Sequence, residues 1–213
     1  MSPLSPSSVR AIVFDLDGTL YVCDEFAAAI KYQAAVYMSD LLSVSTKEAS
    51  IRMNKVRSRL TEQDDTEPTL SNVCCALGGN VPDMHAHFER QLNPESYLLR
   101  DNRVIELLKS LQKHFDLYIY TNNNRVLSTR IIDYLGLSGL FRHIFTIEDN
   151  WRPKPDVERL GQIISFSGFQ PSEILFVGDR CDVDLRLPEQ LGCPVFLSQS
   201  IEQLLRLSKL ASD

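Results

Sequence analysis

Asp15 and Asp17 stand two residues apart at the end of the apolar run AIVF (11–14) and are followed at once by Gly18 and Thr19. Like charges this close raise each other's pKa and repel, so something beside them must make the arrangement useful. Three other stretches add groups of related chemistry. "YTNNN" offers the Thr121 hydroxyl and a run of asparagines, Asn122 to Asn124, "RPKPD" sets Lys154 between two prolines, and "FVGDRCDVD" carries Asp179, Asp182 and Asp184. Crowded carboxylates need a cation, and an all-oxygen set with few fixed groups suits Mg²⁺. A lysine, a hydroxyl and exposed backbone N–H groups suit a phosphate. A magnesium ion shared between the acids and a phosphoryl group is the chemistry these residues fit.

The elements that must position these groups are legible as short apolar runs. Residues 11–14, 117–120, 144–147, 174–177 and 195–197 read as buried strands. From residue 102 onward they alternate with helical patterns. Val104, Leu107, Leu108 and Leu111 share one face, and two further helices end at Gly136 and Gly168. Near-continuous apolar strands alternating with helices predict an α/β fold, a parallel sheet covered by helices on both faces. Open sheets of this kind bind ligands at the carboxyl ends of their strands, where the acids, the threonine and the asparagines fall. Pro155 is expected at the first position of the helix after Lys154, whose dipole would favour an anion.

Between the first strand and residue 100 the patterning changes. Residues 25–42, 46–60, 68–77 and 82–92 all read as helices, broken at 43–46, at the acidic EQDDTEP and at GGNVP. The expected organisation is a discontinuous core (residues 9–21 and 100–213), a small all-helical cap domain (22–99) and a disordered lead-in (1–8). LGGNV lacks the lysine and glycine spacing of a phosphate loop and reads as a turn within the cap.

Composition narrows the partners. The 213 residues, 44% hydrophobic and 23% charged, suit a globular chain. The net charge of −6, with no basic block, argues against nucleic acid and anionic membranes as partners. No run approaches the ~18 apolar residues of a membrane span, and the N-terminus lacks the apolar region of a signal peptide, so the expected location is the cytoplasm. The five cysteines form no Cys-x-x-Cys pair and read as reduced thiols, mostly in the core.

FDLDGTL, YTNNN, RPKPD and FVGDRCDVD, in that order and spacing, resemble the four motifs of the haloacid dehalogenase-like superfamily, and the helical insertion sits where members with a helical cap carry theirs. The resemblance spans residues 11 to about 198. It implies a Rossmann-like core and a Mg²⁺-dependent phosphomonoester hydrolase. Asp15 would be the nucleophile that becomes an aspartyl-phosphate. Asp17 would protonate the leaving oxygen and then deprotonate the attacking water. Thr121 would bind phosphate through its hydroxyl, helped by the backbone of Asn122, and Lys154 would neutralise phosphoryl oxygens and hold Asp15. Asp179 would ligate Mg²⁺ with Asp15 and the Asp17 carbonyl. The family's longer spacing selects Asp184 as the second metal-site acid, leaving Asp182 as an N-cap. Gly18 would permit the tight turn toward the cap.

The expected substrate is a small phosphate monoester: a nucleoside monophosphate, phosphoglycolate or a sugar phosphate. The expected state is a monomer or weak homodimer. A phosphomutase is the alternative on this scaffold, with haloacid dehalogenation and a non-catalytic binding protein behind it; the second aspartate speaks against dehalogenation. Plainer roles are open to single residues. The Asp-Gly pair could be a strand-end turn, Lys154 a surface lysine, and Thr121 a helix cap. Asn123 and Asn124 read as capping or turn residues, and Tyr21 and Cys23 as hinge packing. His85 and His87, two residues apart on a helix, do not face the same way and form no metal pair.

Overall fold

A computed structural model describes residues 9–211. The expected lead-in, residues 1–8, lies outside them. Five strands, β1 (Ala11–Phe14), β2 (Asp116–Tyr120), β3 (His143–Phe145), β4 (Ile174–Gly178) and β5 (Val195–Leu197), form one sheet in the order β3-β2-β1-β4-β5. Every pairing is parallel, and central Phe14 lies opposite Ile119 on one side and Val177 on the other.

The uninterrupted apolar character of β1 has a simple cause. Ile12 and Phe14 face a core layer with Leu117, Ile119, Leu175 and Val177, while Ala11 and Val13 face a second layer with Tyr118, Tyr120 and Phe176. Both faces of the strand are buried, so no position tolerates a polar side chain. The first layer is closed by α5 (Asn102–Gln112) and α6 (Arg125–Leu135), the second by α7 (Val157–Ser167). This is a Rossmann-like α/β core. The chain passes from β1 to β2 and β3 on one side and returns to β4 on the other. Its switch point therefore lies between the carboxyl ends of β1 and β4, where open sheets form ligand crevices.

Four helices lie between β1 and α5: α1 (Asp24–Leu42), α2 (Thr46–Asp64), α3 (Leu70–Ala76) and α4 (Val81–Gln91). Each buries a narrow apolar stripe against its neighbours: Phe26, Ala34 and Met38 from α1, Ala49 and Met53 from α2, Val73 and Cys74 from α3, Met84 and Phe88 from α4. These side chains are continuous with the first core layer. Asn124 ties the two together: its Oδ1 accepts from Leu127 N at 2.7 Å, capping α6, while its Nδ2 donates to the His85 carbonyl of α4 at 2.9 Å. No helix among the described residues is long and apolar enough to cross a membrane.

Several local expectations need correction. Helix α2 runs on through Asp64, so the acidic stretch breaks the chain later than its composition suggests. Strand β3 stops at Phe145; Thr146 instead starts a single tight turn, its N–H donating to Asp149 Oδ2 at 2.9 Å. Pro155 does not open α7. Asp156 caps that helix by accepting from Arg159 N at 2.7 Å, which moves the start to Val157. Cys75 and Cys181 are exposed, whereas Cys74 and Cys193 are buried, and all five thiols are free.

Candidate active site

The four motifs meet at the carboxyl ends of β1, β2 and β4. Lys154 is 3% exposed, and its Nζ donates to Asp15 Oδ1 at 2.6 Å, to Asp184 Oδ1 at 2.7 Å and to the Tyr120 carbonyl at 2.9 Å. An ammonium has three donors, and all three are engaged. Lys154 thus commits its whole ammonium to Asp15, Asp184 and the β2 main chain. Its own N–H donates to Asn122 Oδ1 at 2.8 Å, joining the β2 loop to the lysine loop. Thr19 donates to the other Asp15 oxygen at 3.1 Å.

Asp15, Asp179 and Asp184 each place a carboxylate oxygen within 4.8 Å of the other two. Burial, with the charges of Asp184, Asp17 and Asp179, lifts Asp15 to about 7 against the opposing pull of Lys154. Burial and Asp184 lift Asp179 to about 6. Burial alone would discharge Lys154, but the Asp15 and Asp184 carboxylates outweigh it and hold it charged. Three carboxyl groups share one ammonium, a deficit of positive charge that a bound cation would relieve. An all-oxygen cluster with that deficit fits a hard divalent cation.

Two glycines shape this cluster. Gly18 has φ +85°, and a Cβ there would fall 2.5 Å from Asp179 Oδ2. A Cβ on Gly178 would lie 2.8 Å from Asp184 Cγ. Any side chain at either position would displace a carboxylate, so Gly18 does more than allow a turn. Asp182 stands outside the cluster. It pairs with Arg186 and caps nothing; the segment Cys181–Leu185 forms a wide turn in which Asp184, not Asp182, folds back to accept from Arg180 N at 3.1 Å.

Asp17 is held apart from the cluster by its own donors. Tyr21 Oη donates a short hydrogen bond to Asp17 Oδ1, and Asn123 Nδ2 donates to Oδ2 at 2.6 Å. The Thr121 hydroxyl accepts from Asn123 N at 3.1 Å and lies 3.5 Å from Asp17 Oδ2. Burial raises the Asp17 pKa; the hydrogen bonds from Tyr21 and Asn123 restrain the rise. Sequence reading assigned Tyr21 to hinge packing and Asn123 to a turn. Asn123 sits two residues after Thr121 in a loop whose turn alone aims its amide at Asp17, and that turn has no sequence signal of its own.

The carboxylates open into a cavity of about 330 Å³ lined on its other side by residues of α1, α2, α3, α4 and the loop before α3. Asn122, Asn123, Lys154 and Arg180 line its core side; Arg57, Thr69 and His85 line its helical side. The Asn122 Nδ2 amide is buried without a partner and faces this space. His85 and His87 do face apart: His87 meets Gln33 at 2.9 Å, while His85 is buried at the cavity wall. A larger cleft of about 720 Å³, between residues 20–25 and 97–102, contains none of the clustered carboxylates.

The family model for haloacid dehalogenase-like hydrolases matches residues 9–192. Among curated proteins, the chain is 24% identical over 198 residues to a phosphoglycolate phosphatase of Thiobacillus denitrificans, covering 90% of this chain and 83% of the relative. It is 25% identical to a glyceraldehyde 3-phosphate phosphatase of Methanocaldococcus jannaschii, covering 86% and 82%. Its fold resembles that of YfnB, a HAD-hydrolase of Bacillus subtilis solved with magnesium, with TM-score 0.63, 21% identity and coverage of 94% and 99%. A 2-haloacid dehalogenase of Pseudomonas syringae pv. tomato is comparably similar, with TM-score 0.61, 18% identity and coverage of 95% and 97%. With the match extending from β1 through the helical insertion and beyond β4, the chain belongs to the haloacid dehalogenase-like hydrolases.

Proposed function

We propose that the protein is a Mg²⁺-dependent phosphomonoester hydrolase acting on a small phosphorylated metabolite through an aspartyl-phosphate, with residues 22–99 as a cap over the core. One observation carries this reading: the Lys154 ammonium bridges Asp15 and Asp184 at the floor of a cavity that Asp17 and Asp179 also enter. Asp15, Asp179 and Asp184 would hold Mg²⁺, which when bound supplies charge neutralisation and polarisation of a phosphoryl oxygen.

The residues of the chain account for the remaining steps. An Asp15 carboxylate oxygen attacks phosphorus as the ester P–O bond breaks, and the departing oxygen takes the proton of Asp17. In the second half Asp17 removes a proton from water, whose oxygen attacks phosphorus and releases Asp15 and inorganic phosphate. A buried carboxyl with a raised pKa is suited to carry that proton. Asn122 Nδ2 is available to a phosphoryl oxygen. The fold is shared with dehalogenases; the oriented second acid favours phosphoryl transfer, because displacement of halide from carbon needs no proton donated to an oxygen. The phosphatase names of the curated relatives point the same way.

A panel of small phosphate monoesters assayed with Mg²⁺ and with EDTA tests the reading, with turnover expected only in the presence of metal. In that assay Asp179→Asn should raise the Mg²⁺ requirement by more than about 10-fold. Asp182→Ala should move it by less than about 2-fold, because its carboxylate pairs with Arg186 outside the cluster. The reverse order of sensitivity would remove Asp179 from the metal site.

The same assay, run as a pH profile, tests Asp17. Tyr21→Phe deletes a donor to the Asp17 carboxylate, so the proton is held more tightly and the alkaline limb of kcat/KM should move to higher pH. Turnover near neutrality should fall by about 10-fold as Asp17 loses its orientation. An unmoved alkaline limb would show that Tyr21 merely packs.

A further inference from the structure

Two polar side chains on the helical wall of the cavity carry buried nitrogens without a hydrogen-bond partner inside the protein. His85 of α4 is 3% exposed, and neither ring nitrogen has a hydrogen-bond partner. Burial lowers its pKa to about 4, so it is a neutral imidazole, with one donor and one acceptor nitrogen. Its ring packs edge-on to Phe88 at 5.4 Å and lies 6.1 Å from Trp151, so its orientation is set by apolar neighbours. Arg57 of α2 lines the same cavity; its Nε is buried and unpartnered, and its nearest acid, the exposed Glu67, lies 3.9 Å away. An ion pair at that separation on an exposed glutamate is weak, and the buried Nε has no hydrogen-bond acceptor.

Leaving a buried polar group without a partner is costly, and two such groups on one wall mark where ligand atoms belong. Arginine offers only donors, in a fork that matches a carboxylate. His85 adds one donor for an acceptor oxygen and one acceptor for a hydroxyl. The opposite wall, with Asp15, Asp17, Asp179 and Asp184, repels anions except where Lys154 and a cation compensate. An anionic group other than the phosphate would therefore lie toward α2 and α4. The volume of about 330 Å³ must also hold the phosphoryl group. It sits at the lower end of ligand pockets, about 300–1,000 Å³, which favours a small leaving group.

We propose that Arg57 and His85 form a leaving-group subsite for a carboxylate-bearing alcohol, so that the substrate is the phosphate ester of a short hydroxy acid. This rests on the phosphomonoesterase reading above and adds to it which group on the substrate is recognised and by which residues. Neither residue touches the reacting bond; both select what is attached to it.

The test compares esters that differ in the carboxylate: 2-phosphoglycolate against ethyl phosphate, and 3-phosphoglycerate against glycerol 3-phosphate, with pyrophosphate as a further arm, all with Mg²⁺ and the full chain. Wild-type kcat/KM should favour the acid of each pair by about 10–100-fold, the range of a charge-assisted hydrogen bond. Arg57→Gln should collapse that ratio toward one, and Arg57→Lys should restore part of it. His85→Phe should lower it further, with His85→Gln recovering some. Should His85→Phe fail to fold, the Arg57 variants on the half-buried wall still decide the matter. A wild-type ratio near one, a ratio unchanged by Arg57→Gln, or a preference for pyrophosphate over both acids would overturn the subsite. If the wild-type protein hydrolyses none of these monoesters nor any other, the phosphatase reading itself fails.

Discussion

Asp15→Asn is expected to abolish turnover, by roughly 10⁴-fold or more, while leaving the protein folded and, without metal, more stable than the wild type at alkaline pH. The activity loss follows because an amide oxygen cannot act as the nucleophile that forms an acyl-phosphate. The stability gain follows from burial and neighbouring acids, which raise Asp15 to about 7. A carboxyl whose folded pKa lies above its ordinary value of 3.8 binds a proton in the native state that the unfolded chain has lost. Its contribution to stability therefore falls as pH rises from about 4 through 7 and is lowest above that. Asparagine removes this dependence without removing the hydrogen-bond acceptor that faces Lys154. Urea unfolding of both proteins in EDTA at pH 5 and pH 8 should show the variant's advantage at pH 8 and a smaller one at pH 5. Retained turnover above a few per cent, in protein free of wild-type enzyme, would take the nucleophile's role from Asp15.

How much of this could be read from residue order alone depended on which interactions are local. The sheet was legible because β1 is buried on both faces, so Ala11–Phe14 had to be uniformly apolar. The helical insertion was legible because each of its helices keeps an apolar stripe. The acids were legible because a parallel sheet delivers its strand ends to one crevice, and Asp15, Asp17, Asp179 and Asp184 all follow a strand. What could not be read depends on contacts far apart in the chain. Arg57 is one of several charged residues on α2, and only the packing of that helix onto α1 and α3 decides that it faces the carboxylates. His85 was read only as a residue facing away from His87, and its place on the cavity wall follows from α4 being tied through Asn124 to the head of α6. Asp182 and Pro155 each satisfied a local capping rule. Asp182 instead pairs with Arg186, and Asp156 caps the helix that Pro155 was expected to open.

Lys154→Met should give the largest combined loss, and it separates the lysine's charge from its bulk. Methionine fills nearly the same space but leaves Asp15 and Asp184, 2.6 and 2.7 Å from the lost ammonium, buried without their cation. Removing one partner of a buried ion pair costs about 3–5 kcal/mol, far more than the pair contributes relative to an apolar replacement of both. The sign with pH is fixed by the two sides of the pair. In the wild type the raised Lys154 pKa contributes stability that is fully present below 10.5 and lost only as pH rises through its higher folded value. In the variant Asp15 and Asp179, already raised, must hold protons still more tightly or repel their neighbours, so stability falls as pH rises through neutrality. The deficit should be largest at pH 8 in EDTA and should shrink toward pH 4, where Asp15 and Asp179 are protonated. Millimolar Mg²⁺ should return part of the unfolding midpoint, because a divalent cation can replace the missing charge among Asp15, Asp179 and Asp184. It should not return activity, expected to fall by about 10³-fold or more, because the fixed positive charge beside the reacting carboxylate is gone. Unfolding midpoints in EDTA and in Mg²⁺ at both pH values, beside steady-state rates, measure each part. An unchanged midpoint at pH 8 without metal would mean that Lys154 is not the counterion that keeps this cluster of acids folded.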